Sequence, residues 1–138
     1  MTNEHHKVAV NVLCTASWIH SGDIARLKKH SITPEQYNVL RILRGSHPNK
    51  LMLAEITNRM IDKNSNATRL VEKLRQKGLV KREVCEANRR QVDISITEKG
   101  LSLMKAIDAE ESKWIGTLKN ISKSEAIELN RLLNKLRG

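Results

Sequence analysis

The side chains best suited to chemistry in this chain are short polar and basic ones concentrated near its middle. They are Asn64, Ser65, Asn66, Thr68, Arg69 and Lys73. Asparagine and arginine can each form two directed hydrogen bonds to a base edge, and serine or threonine can reach a base or a phosphate. On a helix with about 100° per residue, these side chains lie opposite an apolar stripe. That stripe consists of Ala67, Leu70, Val71 and Leu74.

The spacing therefore predicts a helix over 64–77 whose polar face enters the major groove of double-stranded DNA. The N-terminal turn of such a helix goes deepest, so the first five candidates would contact bases. Lys73 and Lys77 lie further along and suit phosphate oxygens. A solvated helix face with no ligand is the alternative interpretation of a single basic amphipathic helix.

A second basic pair, Arg89 and Arg90, lies between two segments that alternate apolar and polar residues. LVKREVC and QVDISIT predict two strands, and EANRR predicts the turn between them. An arginine guanidinium is favoured in a narrow minor groove, where the potential is most negative. Adjacent side chains of an extended segment point to opposite sides. One arginine is therefore expected to reach DNA, and the other to bind a carboxylate such as Glu72 or Asp62.

The charge distribution favours an anionic partner over a merely solvated surface. The net charge is +10 over 138 residues, and residues 59–91 hold ten basic and four acidic side chains. A local net charge of +6 is typical of surfaces that bind nucleic acid, an anionic membrane or an acidic protein. No apolar run is long enough for a transmembrane helix, so no membrane partner is expected.

Apolar periodicity predicts the elements that position these side chains. Three helices are expected first, over 7–29 with an interruption near Ser21–Gly22, over 34–44, and over 51–60. Thr33 and Gln36 form the pattern of a capping box at the second of these helices. A break follows at 61–63, with Asp62 as the expected N-cap of the basic helix.

The basic helix is expected to end at Gly78 and to be followed by the two strands. A long helix should then begin at Thr97, and a last one at Ser122, where Ser122 and Glu125 suit another capping box. A short helix, a turn, a basic helix and a hairpin together form a winged helix-turn-helix. The predicted fold class is mainly α with a small β-hairpin wing and about six helices.

Several of these segments together resemble the MarR family of bacterial transcription regulators. They are ITPEQYNVLRIL, LAEITNRM, NSNATRLVEKLRQKGLVKR and, after the wing, ITEKG. Together they span about residues 30–105. Arg90 matches the arginine of the family's Asp-x-Arg wing motif, whereas Asn88 replaces its acid.

The resemblance implies one MarR-type domain over 1–138, with a DNA-binding lobe at 31–100. The N- and C-terminal helices, within 1–30 and 101–138, would form a dimerisation region. Family members are usually homodimeric repressors of pseudo-palindromic operators, and many release DNA when a small phenolic or lipophilic effector binds. The leucine-rich last helix has more apolar residues than an isolated chain needs, which agrees with dimerisation.

An effector pocket is expected near Trp18, His20, Tyr37 and Met52, although packing in the core is the alternative for such residues. Cys14 is expected to be a buried structural cysteine, with redox sensing as the alternative. Two cysteines without metal-like spacing suit a reducing cytoplasm, and no signal peptide is recognised. The five histidines show no metal-binding pattern, and no catalytic constellation or cofactor motif is found.

The sequence therefore predicts a cytoplasmic, homodimeric, sequence-specific DNA-binding regulator that is not an enzyme. Two other functions remain open at this point. One is a non-specific or architectural nucleic-acid-binding protein, and the other is a winged-helix module that binds another protein.

Overall fold

A computed structural model describes residues 3–138. The residues up to Met104 form one compact unit, and Lys105–Gly138 form a second. Helices and strands follow in the order α1 (Glu4–Leu27), α2 (Pro34–Ser46), β1 (Leu51–Met52), α3 (Leu53–Arg59), α4 (Ala67–Gln76), β2 (Val80–Val84), β3 (Val92–Ile96), α5 (Glu98–Asp108), α6 (Glu111–Gly116) and α7 (Lys123–Leu136). A short 3₁₀ turn, Lys28–His30, follows α1. No helix within 3–138 is both long enough and apolar enough to cross a bilayer.

The core of the first unit is aliphatic, because the chain contains no phenylalanine. Leu40 and Leu43 of α2, Ile56 of α3, Leu74 of α4 and Ile94 of β3 are all fully buried. Burying one such side chain contributes about 1.5–3 kcal/mol. Three helices and one face of the sheet therefore share a single apolar interior.

The sheet has three antiparallel strands in the order β1-β3-β2. The predicted hairpin is confirmed, and Val80 pairs with Ile96 at its base. Leu51 and Met52, which were predicted to begin a helix, instead form β1 and pair with Ile94 and Asp93. The prediction was wrong there because the free edge of β3, which is distant in sequence, supplies the hydrogen bonds.

Both predicted capping boxes are confirmed. The backbone N–H of Gln36 donates to Thr33 Oγ1, and the N–H of Thr33 donates to Gln36 Oε1, both at 3.1 Å. Ser122 and Glu125 make the same reciprocal pair at the start of α7. These bonds satisfy N–H groups that a helix start otherwise leaves without a partner.

Other helix boundaries differ from the prediction. α1 continues through Ser21–Gly22 without a break, because one glycine costs a helix only about 1 kcal/mol. The basic helix begins at Ala67 and not at residue 64. The long helix predicted from Thr97 is divided into α5 and α6 by a turn at residues 109–110.

Two glycines fix the junctions around the wing. Gly78 has a φ of 73° and ends α4 as predicted, since glycine has no side chain to oppose that backbone conformation. Gly100, in the first turn of α5, lies against Ile96 of β3 and against the residue that precedes β2. A Cβ atom there would lie 2.4 Å from the Leu79 carbonyl oxygen and 2.6 Å from Ile96 Cγ1.

Replacing Gly100 with alanine should lower the free energy of unfolding by about 1–3 kcal/mol, because backbone atoms cannot move aside for the methyl group. Urea denaturation measures the change. Gly45→Ala is the matched control, since nothing lies within 4 Å of its added Cβ, and it should be neutral or stabilising by up to about 1 kcal/mol. If both variants changed the free energy of unfolding equally, a clash of the added methyl group with Leu79 and Ile96 would not explain the effect at Gly100.

Candidate nucleic-acid interface

The amphipathic character predicted for α4 is confirmed. Ala67, Val71 and Leu74 are buried, whereas the predicted contact residues Thr68, Arg69 and Lys73 are exposed. The apolar stripe fixes the rotation of the helix about its own axis. The polar face is therefore directed outward by the packing of its opposite side.

The turn before α4 is longer than predicted and holds two of the candidate contact residues. Asn64 and Ser65 lie in this turn, which covers residues 60–66, and not in the helix. Asp62 organises the turn: its Oδ1 accepts from the Asn64 N–H at 2.9 Å, and its carbonyl accepts from the Ser65 N–H at 3.1 Å. It is therefore not the N-cap of α4.

Asn66 is the N-cap of α4. Its Oδ1 accepts from the Arg69 N–H at 3.1 Å, and such caps stabilise a helix by about 1 kcal/mol. The side-chain oxygen of this candidate thus has a structural role, while its amide nitrogen is the group suited to a base. Local capping decided the helix start, as the hydrogen-bonding preference of asparagine favours caps over helix interiors.

Arg89 and Arg90 occupy the two central positions of a turn at the tip of the wing. The Gln91 N–H donates to the Asn88 carbonyl at 2.9 Å and closes the turn. The Arg90 N–H donates to Asn88 Oδ1 at 3.1 Å. Asn88 therefore supplies the side-chain acceptor of the turn, a role that an aspartate could also perform.

The hypothesis that one wing arginine returns to Glu72 or Asp62 is wrong. Glu72 accepts from the Arg75 guanidinium, with Arg75 Nε at 2.9 Å from Glu72 Oε2. This bond holds the pKa of the Glu72 carboxyl below its usual range. Within residues 3–138 neither wing arginine forms an ion pair, and both are exposed. Strand alternation does not apply to them because they lie in a turn.

The base of the wing contains a charged network that the sequence did not indicate. Glu83 Oε2 on β2 lies 2.7 Å from Lys50 Nζ, just before β1, and the other carboxylate oxygen binds Lys81. The Lys50 hydrogen bond, followed by that of Lys81, lowers the pKa of Glu83 to about 2. Lys50 and Glu83 are 33 positions apart, so only the folded sheet brings them together.

Two further cations belong to the same exposed surface. Lys63 lies in the turn before α4, and Arg82 lies on β2. The charge of Arg82 also lowers the pKa of Glu72, which places this strand beside α4 electrostatically. The concentration of basic residues over 59–91 was the only signal in the sequence that pointed to them.

Two of the predicted effector residues lie where α1 meets α2. His20 Nε2 is 3.7 Å from Glu35 Oε1. The guanidinium carbon of Arg26 stands 5.2 Å from the centre of the Tyr37 ring, within the range of a cation–π contact. Polar and aromatic groups of the two helices thus face each other there.

The other two predicted effector residues are exposed, Trp18 on α1 and Met52 on β1. Cys14 is also exposed in the single chain, so the expectation that it is buried was wrong. α1 presents much of its surface to solvent in one chain, and the helix pattern alone does not determine which face is covered. No group of three or more His, Cys, Asp or Glu residues within 3–138 is arranged to hold a metal ion.

Comparison with known proteins finds a family match for the central part of the chain. The model of the MarR family matches residues 32–92, which include α2, α3, α4 and the wing. The transcriptional regulator MhqR of Bacillus subtilis is 29% identical over 105 residues, covering 75% of this chain and 70% of MhqR. By this match, the helix-turn-helix and wing of this chain are of the MarR type. The curated relatives with which this chain aligns, MhqR and MgrA, are transcription regulators and not enzymes.

Solved MarR-like structures share the fold. Staphylococcus aureus MepR in complex with DNA has a TM-score of 0.83 at 21% identity, covering 93% of this chain and 94% of MepR. The organohalide-sensing regulator RdhR-CbdbA1625, in its 2,4-dichlorophenol-bound form, has a TM-score of 0.88 at 18% identity. That alignment covers 99% of this chain and 81% of the other. The predicted winged helix-turn-helix is thereby confirmed.

The Glu83 network should make wing stability sensitive to acid. Because the folded state lowers the pKa of Glu83 from 4.5 to about 2, its carboxylate stabilises the fold above pH 4.5. That contribution is lost as the pH falls towards 2. Glu83→Gln should thus be less stable than the parent chain at pH 7, and the difference should vanish near pH 2.

Urea denaturation at several pH values measures this difference. Glu86→Gln is the matched control, since Glu86 lies in the wing and forms no ion pair within the described chain. A Glu83→Gln deficit that persists unchanged to pH 2 would show that the network does not stabilise the wing.

Proposed function

We propose that this chain is a sequence-specific DNA-binding repressor that acts as a homodimer on a pseudo-palindromic operator. One observation carries the proposal: Thr68 and Arg69 are exposed in the first turn of α4, and Arg89 and Arg90 are exposed at the tip of the wing that follows it. No ion pair within residues 3–138 occupies the wing arginines. The first pair suits base edges in the major groove, and the second suits the adjacent minor groove.

The chemistry of each side chain indicates which part of DNA it is expected to contact. Asn64, Ser65 and Asn66 lie at the entry to α4, where short polar groups can approach base edges. Lys73 lies one turn beyond Arg69 and is exposed, which suits a phosphate oxygen. Arg75 is occupied by Glu72 and is less suited to contact DNA.

Exposed apolar side chains on the terminal helices support the homodimer. On α1 these include Leu13, Trp18 and Ile24. On α7 they are Ile127, Leu129, Leu132 and Leu136. Exposed apolar surface on this scale marks an interface, and a two-fold dimer matches a pseudo-palindromic operator. Residues 1–30 and 101–138 are therefore proposed as the dimerisation region of one domain.

We further propose that a small phenolic or lipophilic effector acts on this regulator in the cytoplasm. The support is the contact between α1 and α2, where His20 offers an imidazole and Tyr37 a phenol ring. Trp18 and Met52 are proposed as apolar neighbours of that site. The fold shared with the dichlorophenol-bound regulator is compatible with such a ligand.

Selection of bound duplexes from a random pool tests the main proposal. A palindromic sequence with half-sites about one DNA turn apart should be enriched, because two related α4 helices would contact successive major grooves. A pool without enrichment, bound with uniform affinity, would instead indicate a non-specific nucleic-acid-binding protein. Absence of binding at physiological salt would favour a module that binds another protein.

Arg69→Ala should weaken binding to the selected duplex by about 1–3 kcal/mol and relax base preference at one position of each half-site. Arg75→Ala is the matched control on the same helix, since the Arg75 guanidinium binds Glu72. Fluorescence anisotropy titrations against the selected duplex and single-base variants measure both effects. An Arg75→Ala loss as large as that of Arg69→Ala would argue against this orientation of α4.

Arg89→Ala and Arg90→Ala should each weaken DNA binding and make its salt dependence less steep, because both guanidinium groups are exposed at the wing tip. Each cation–phosphate contact that is lost should reduce the slope of log K against log salt by about 0.9. Titrations between 50 and 200 mM salt (about the range over which such slopes are measured) provide the test. If both variants retain the parental affinity and slope, the wing does not contact DNA.

A further inference from the structure

α2 contains two polar side chains that are buried among the apolar residues of the core. Gln36 is 5% exposed and Asn38 is 7% exposed. A polar group in such a position costs free energy unless it forms hydrogen bonds. Asn38 bonds to the turn before α4, and Gln36 bonds to the residue at the C-terminal end of α4.

Asn38 holds the chain at the entrance to that segment. Its Oδ1 accepts a 2.8 Å hydrogen bond from the Ile61 backbone N–H, at the start of the turn before α4. The Ile61 side chain is 82% exposed, so it contributes little packing of its own. The Asn38 bond therefore acts together with the burial of Met60 to fix where this turn leaves the core.

Lys77 holds the chain at the other end. It is the C-cap of α4, and its ammonium donates to the Ser31 carbonyl and lies 3.4 Å from Gln36 Oε1. Ser31 ends the 3₁₀ turn in the left-handed conformation, with a φ of 58°. The sequence suggested Lys77 as a phosphate contact, but in the structure its ammonium binds oxygen atoms of the protein at the surface.

We propose that Asn38 and Lys77 are positioning residues that hold α4 at both ends and thereby contribute to base recognition without contacting DNA. This inference rests on the proposed function, because it concerns how the DNA-contacting helix is oriented. Directed bonds to base edges tolerate only small displacements, whereas phosphate attraction is long-range and tolerates larger ones. Loss of either contact should therefore weaken specific binding more than non-specific binding.

The pair Lys77→Met and Lys73→Met provides the sharpest test. Both variants remove one positive charge from the same helix segment, but only Lys77 is bonded to α2 and the turn before it. Lys73→Met should reduce the slope of log K against log salt by about 0.9 for both the selected duplex and an unrelated duplex. Lys77→Met should leave that slope unchanged and weaken binding to the selected duplex alone by about tenfold, the size expected for a lost charged hydrogen bond.

Asn38 allows a second, independent test. Asn38→Leu removes the acceptor with little change in volume, whereas Asn38→Asp keeps a carboxylate oxygen for the Ile61 N–H. The ratio of affinities for selected and unrelated duplexes should fall about tenfold in Asn38→Leu. It should recover in part in Asn38→Asp. Thermal unfolding of each variant without DNA separates this change from a general loss of folded protein.

The outcomes distinguish this inference from the proposed function. If the parent chain binds no duplex selectively, the proposed function itself fails. If the parent is selective but Lys77→Met reduces the salt slope as Lys73→Met does, Lys77 contacts phosphate and the inference is overturned. It is equally overturned if Lys77→Met leaves both affinities unchanged, or if Asn38→Leu weakens both duplexes to the same extent.

Discussion

The burial of one apolar stripe on α4 is the constraint on which the rest of the interface depends. Ala67, Val71 and Leu74 pack into a core shared with α2, α3 and the sheet. Because a helix has only one rotation that buries such a stripe, Thr68, Arg69 and Lys73 must face outward. Burial of the apolar face therefore also determines the direction of the polar side chains on the opposite face.

Electrostatics distinguishes the basic residues that stabilise the protein from those that remain for a ligand. Lys50 and Lys81 bind Glu83, Arg75 binds Glu72, and Lys77 binds the Ser31 carbonyl. The wing-tip arginines have no such internal partner in the described chain. A local net charge of +6 over residues 59–91 thus overstates the number of cations available to DNA, since several are already paired.

The wing illustrates how local and long-range bonds combine. Asn88 forms the tip turn through a bond to the backbone of Arg90, two residues away. The base is held by β1, whose residues pair with β3, and by the Lys50–Glu83 bond. Local bonds thus shape the turn that carries the two arginines, and long-range bonds fix the strands on which that turn stands.

Sequence patterns by themselves determined the helices with strong apolar periodicity, both capping boxes, the hairpin, the role of Gly78 and the polar face of α4. These features depend on bonds between residues at most a few positions apart, on the periodicity of a single helix, or, for the hairpin, on strands that follow each other directly in the chain. Tertiary structure decided the β1 pairing, the Glu83 network and the bond from Lys77 to the Ser31 carbonyl. Each depends on a competition between partners, and several of those partners are distant in the chain. Local spacing cannot predict which of several lysines finds a carbonyl or carboxylate, because only the folded backbone brings donor and acceptor within hydrogen-bonding distance.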